Sequence, residues 1–126
     1  MILPHTHVIT RDDGRTLVVY VGGYLNSSLG EEVEKIVGSK LEGGTRSLLL
    51  NFGQTRMVNS IGISFIIGVV EKVIEGEGRL AFCEVNRLNR DLFQVTGRTK
   101  YVQSFETEGE ALAFLSRTSP GESLRE

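Results

Sequence analysis

Ser60 lies in "MVNSIGIS", residues 57–64, where the polar pair Asn59–Ser60 interrupts an otherwise apolar and small-residue run. A serine where a helix begins has two uses. Its hydroxyl can accept a bond from a backbone N–H two or three residues on, and so cap the helix. It can also be modified. A phosphate there would sit at the positive end of the helix dipole, tolerated by its own chain. It would add roughly −1.5 to −2 charges to the surface beside it and repel a docked partner. The residues alone leave both readings open.

Other chemistry is sparse. His5 and His7 form an x-H-x-H pair, but no cysteine or acidic cluster nearby completes a metal site. There is no P-loop and no G-x-G-x-x-G. "EGEGR" follows a helical segment instead of preceding one, so it reads as a plain connecting loop and not a phosphate cradle. No histidine lies in the alternating part of the chain, so no Ser/His/Asp set can form there. A phospho-acceptor receiver domain would need carboxylates at the ends of its strands, where "LLLNFG" places Asn51 and Phe52. Cys83, in "RLAFCEV", reads as a buried, inert thiol. No catalytic residue, cofactor or metal is expected, and a binding protein is favoured over an enzyme.

The elements that must position Ser60 are legible. "HVITRDDGRTLVVYVGG" reads as a β-hairpin turning at Gly14. "NSSLGEEVEKIVGSKLEGG" reads as a helix, with Ser28 and Glu31 at capping-box spacing and Gly43–Gly44 at its end. Leu29, Val33, Ile36, Val37 and Leu41 repeat along it at helical spacing. "RSLLLNF" and "RLAFCEV" are continuously apolar, as strands buried on both faces must be. Between them a helix runs from about Ser60 to Glu75, stopped by "EGEG". "NRLNRDLFQVTG" reads as a helix from Asn86 to before Gly97, "YVQSF" as a strand, and "TEGEALAFLSR" as a last helix with the capping box Thr107 and Glu110. The turns "GGYLNSS" and "GQTRMVNS" follow strands, where function sits in parallel sheets. The expected class is therefore α/β. It has a mostly parallel sheet of about four to five strands, an N-terminal hairpin and about four helices.

The 126 residues suit one domain, here 1–117, with a flexible tail at 118–126. A net charge of −2 gives no basic surplus for nucleic acid, and no apolar run approaches a membrane span. The start "MILPHTHVIT" lacks the regions of a signal peptide, and a lone cysteine suits a reducing cytoplasm. The 60–75 helix has two apolar strips. Ile63, Ile66, Ile67, Val70 and Ile74 suffice to pack on the sheet; Ile61, Phe65 and Val69 form a second strip that a partner could use. Gly62 and Gly68 would admit another backbone.

In sum, the chain resembles a STAS domain of the anti-sigma factor antagonist type, over roughly residues 8–115. "VGGYLNSS" is similar to the family's G-E-L-D segment, and "LLLNFGQTRMVNSIGIS" to its strand followed by a D-S-S-G-L-G-type motif. "GRLAFCEVNRLNRDLFQVTGRTKYVQSFETEGEAL" is similar to its later region, where a helix ends in T-G. The resemblance implies that Ser60 is phosphorylated by an anti-sigma factor that is a GHKL-type serine kinase, and dephosphorylated by a PP2C-type phosphatase. The unphosphorylated form would bind the anti-sigma factor and free the sigma factor, regulating transcription. Asn26, Met57, Asn59, Ser60, Ile61, Gly62, Phe65 and Val69 would meet that partner. The chain departs from the pattern where Asn59 and Asn26 replace the family's aspartates and Tyr24 its glutamate. The alternative is a STAS partner subunit without the switch, in a lipid-transport ABC complex or a signalling scaffold.

Overall fold

The computed structural model describes residues 8–13, 15–85 and 102–117. Strands β1 (Val8–Asp13) and β2 (Thr16–Val21) form the expected antiparallel hairpin; its turn residue Gly14 lies outside the described residues. There follow β3 (Gly23–Leu25), α1 (Ser27–Glu42), β4 (Ser47–Asn51), β5 (Thr55–Val58), α2 (Ser60–Glu75) and β6 (Arg79–Cys83). The last described elements are β7 (Val102–Phe105) and α3 (Glu108–Arg117). The helix expected from Asn86, the His5–His7 pair and the tail from 118 lie outside the described residues.

The main sheet has the order β1-β2-β4-β6-β7, parallel from β2 onward. Its register aligns Val19 with Leu50 and Leu50 with Phe82. These strands read as unbroken apolar runs because both faces are covered. One face carries Leu17, Val19, Val21, Leu48, Leu50, Phe52, Leu80 and Phe82, packed under α1 and α2. The other carries Val18, Leu49, Ala81 and Cys83 under Ala111 and Leu115 of α3. Alternation sends successive side chains to opposite faces, so each strand feeds both cores.

One correction concerns a helix start. Ser28 does not cap α1: Asn26 does, its Oδ1 accepting from Leu29 N at 3.1 Å. Asn26 has the extended backbone a cap requires, whereas Ser28 is already inside the helix. The last helix keeps its capping box, with Glu110 N donating to Thr107 Oγ1 at 3.1 Å. The segments read as turns also hold more structure than expected. β3 and β5 pair in parallel as a second, two-stranded sheet. Thr55 anchors it, its buried hydroxyl donating to Val21 O.

Candidate functional site

At one end of the molecule β3 enters α1 and β5 enters α2, side by side. Asn59 N donates to Leu25 O at 3.1 Å, continuing the β3–β5 pairing into the first residue of the turn. The Asn59 side chain then has two tasks. Its Oδ1 accepts from Gly62 N at 2.8 Å and caps α2, while its Nδ2 donates to the Tyr24 hydroxyl at 3.1 Å. An aspartate could do the first, but at the second it would have to accept from the Tyr24 O–H instead of donating to it. Asn59 and Tyr24 therefore fit one another as a pair.

Ser60 is consequently not the cap. It is the first residue of α2, it is exposed, and its hydroxyl has no hydrogen-bond partner among the described residues. Met57 on β5 and Ile61 on α2 flank it and are 58% and 54% exposed, the two most exposed large apolar side chains described. Neither α1 nor α2 has a carboxylate in its first turn, so the positive ends of both dipoles reach this surface uncompensated. Arg56 is exposed on β5 and forms no ion pair among the described residues.

The rest of the expected partner strip sits elsewhere. Val69 is fully buried between α2 and the core, so it offers nothing to a partner in this conformation. Phe65 is half-buried and lies over Gly30 of α1, where an added Cβ would come within 2.7 Å of Phe65 Cβ. Gly62 is buried; an added Cβ there would overlap the Leu25 carbonyl oxygen. Gly68 is covered by the Glu34 carboxylate. Both glycines therefore admit this chain's own atoms, not a partner's backbone. Conversely Ile67, expected on the core face, is 37% exposed. The reason is that α2 is wedged between the sheet and α1, which turns the strip containing Val69 inward. Asn26, Met57, Asn59, Ser60 and Ile61 do share one end of the molecule; Gly62 lies beneath them, and Phe65 and Val69 belong to α1–α2 packing.

A second polar group went unnoticed in the sequence. Asn51, almost fully buried, donates through Nδ2 to Glu108 at 2.9 Å and Glu84 at 3.3 Å, and accepts from Gly53 N at 2.7 Å. Arg11 joins Glu108 and the Tyr20 hydroxyl. Burial pushes the Glu108 carboxyl up, but hydrogen bonds from Tyr20, Asn51 and Arg11 outweigh it and hold the group below the ordinary carboxylate range. Nearby Cys83 is fully buried; desolvation, then the charges of Glu84 and Glu108, push its thiol up to about 12. Among the described residues no group of His, Cys, Asp and Glu could hold a metal ion, and no helix is long and apolar enough to cross a membrane.

The STAS-domain family model matches residues 7–111. The chain belongs to the STAS-domain family. A Bordetella bronchiseptica protein described as a candidate anti-sigma factor antagonist, BtrV, is 25% identical over 81 residues, 64% of this chain and 70% of BtrV. A solved structure of a candidate anti-sigma factor antagonist from Thermotoga maritima superimposes with a TM-score of 0.77 at 17% identity, covering 90% of this chain and 98% of that one. The Bacillus cell-fate determinant SpoIIAA, solved in its phosphorylated form, gives 0.69 at 20% identity over 86% of this chain and 98% of its own. The α/β fold with its mixed five-stranded sheet is thus the STAS fold, and the family members it is similar to are anti-sigma factor antagonists.

Proposed function

We propose that the chain is an anti-sigma factor antagonist whose docking on its partner is switched off by phosphorylation of Ser60. The observation that carries this reading is the exposed Ser60 hydroxyl, unengaged by the described residues and set between exposed Met57 and Ile61. A side chain that capped its own helix would be a poor acceptor for a kinase; here Asn59 caps and Ser60 is left accessible. Two apolar side chains on either side supply contact area, and a partner closing over it would have to desolvate a phosphate on Ser60 at high cost. The partner is an anti-sigma factor that acts as a GHKL-type serine kinase, and a PP2C-type phosphatase restores the docking form. The surface meeting that partner comprises Asn26, Met57, Asn59, Ser60 and Ile61.

The test is a pull-down from host lysate with wild-type and Ser60→Asp protein as paired baits, read by mass spectrometry. A GHKL-type kinase held by the wild type and lost by Ser60→Asp supports the switch. One observation favours a second reading, a STAS partner without the switch. Asn26 and Asn59 are amides where the family has carboxylates, and the Oδ1 of each is engaged as a helix cap. A transporter subunit or scaffold held equally by both baits would establish that reading instead.

A further inference from the structure

The two strand–helix junctions of the site are one unit built twice. β3 and β5 pair with Tyr24 opposite Met57 and Leu25 opposite Val58. The next two residues are Asn and Ser in both, Asn26–Ser27 entering α1 and Asn59–Ser60 entering α2. The backbones agree as well. Asn26 has φ −119° and ψ −165°, Asn59 has φ −127° and ψ 172°, and each side chain accepts from the N–H three residues on. Ser27 therefore stands as Ser60 does. It is the first residue of a 16-residue helix, it is exposed, and its hydroxyl has no hydrogen-bond partner among the described residues. We propose, building on the switch at Ser60, that Ser27 is a second phosphorylation site of the same kinase, used as an alternative to Ser60.

Capping accounts for both asparagines and for neither serine. Serine is a weaker helix former than alanine, and at these two positions its hydroxyl makes no bond that would compensate. Each hydroxyl stands at the positive end of a helix dipole that no first-turn carboxylate offsets, so the fold tolerates a phosphate on either. Asn59 N donates to Leu25 O at 3.1 Å, which keeps the junctions tied up to the residue before the serines. Paired strands lie about 4.8 Å apart, so a kinase seated on Met57 and Ile61 exchanges one hydroxyl for the other by a shift of roughly that size. The junctions differ at the following residue, where exposed Ser28 stands opposite exposed Ile61. Ser28 lies one residue further into its helix and matches no serine at the other junction, so Ser27 is the acceptor. In the step, Ser27 Oγ bonds to the γ-phosphorus of the kinase's ATP as the bond to the departing ADP oxygen breaks, and the hydroxyl proton passes to a kinase base. Either phosphate brings roughly −1.5 to −2 charges to the shared surface and repels the docked kinase, so the first transfer ends the encounter. A second phosphate beside the first is opposed by like charge as well, and singly modified chains predominate.

The test is phosphosite mapping of the full chain purified from its native host with phosphatases inhibited. Peptide fragmentation and intact mass are read for wild type, Ser60→Ala and Ser27→Ala. In wild type, phosphate is expected on both Ser27 and Ser60, with the doubly modified chain below about a tenth of the modified protein. Ser60→Ala is expected to carry phosphate on Ser27 at no less than the wild-type level, and Ser27→Ala to carry it on Ser60. Phosphate confined to Ser60, with none in Ser60→Ala, would overturn Ser27 as a site and leave the Ser60 switch standing. Phosphate on Ser27 with none on Ser60 would support Ser27 as an acceptor and overturn the switch at Ser60. No phosphate on either would overturn both. A mainly doubly modified chain would overturn the alternation, and phosphate on Ser28 in place of Ser27 would overturn the assignment.

Discussion

Asn59 and Ser60 divide two tasks that one residue could have held. The cap and the Tyr24 bond belong to Asn59, so Asn59→Ala is expected to cost about 1–2 kcal/mol of folding stability, measured by urea denaturation. Ser60→Ala removes no hydrogen bond made within the described chain and is expected to stay within about 0.5 kcal/mol of wild type. Ser60→Asp places a negative charge in the first turn of α2 and is expected to stabilise the fold by about 0.3–1 kcal/mol while abolishing partner binding. Loss of binding together with loss of stability would mean that the variant misfolds, and would remove it as a mimic of the phosphoprotein. At Cys83 burial governs reactivity. A thiol pushed up to about 12 has almost no thiolate at pH 8, so a disulfide reagent is expected to leave it untouched until the protein is unfolded in urea.

At the scale of elements, the site is made by two strand–helix junctions pressed together, and Gly62 is where they touch. Replacing a helical glycine by alanine ordinarily gains about 1 kcal/mol of helix propensity. Here the added methyl would overlap the Leu25 carbonyl oxygen, and backbone cannot yield as a side-chain tip can. Overpacking of that kind costs about 1–3 kcal/mol, so the steric term wins and Gly62→Ala is expected to be destabilising in urea. Because α2 would have to move away from β3, partner binding is expected to weaken with it although Gly62 itself is buried. The same wedge explains why α2 has two apolar strips. One faces the sheet and the other packs toward α1, leaving Ile61 and Ile67 as the large apolar side chains of α2 that are exposed.

At the scale of the whole molecule, the ion pair of Arg11 with Glu108 ties the edge strand of the N-terminal hairpin to the last described helix. Glu108 has its folded-state carboxyl held below the ordinary range. The stability it contributes is therefore present above the unfolded-state carboxylate pKa and is lost as the pH falls through the depressed folded value. Arg11→Ala is expected to lower the melting temperature near neutral pH, with the gap to wild type closing in the acid range where Glu108 is protonated. A gap independent of pH would show that Arg11 acts through packing alone. The pair is partly exposed, with the Arg11 side chain at 41%, so the effect is expected to be small.

Local patterns were enough for the hairpin, the buried strands, the helix spans at α1 and α2, and the place of Ser60. Each depends on spacing within a few residues, and covered strands must be apolar throughout. The family resemblance was legible for the same reason, since its motifs lie at strand–helix junctions. The tertiary structure alone decided the rest. Asn59, not Ser60, caps α2, because the choice between neighbouring caps depends on where β3 holds the chain. The pairing of β3 with β5 joins segments three and four residues long, too short for alternation to register. Val69 and Ile67 exchange their expected faces because helical periodicity gives angles between side chains but not which neighbour occupies which side. The cluster around Asn51 brings together residues distant in the chain, and sequence distance carries no sign of that proximity.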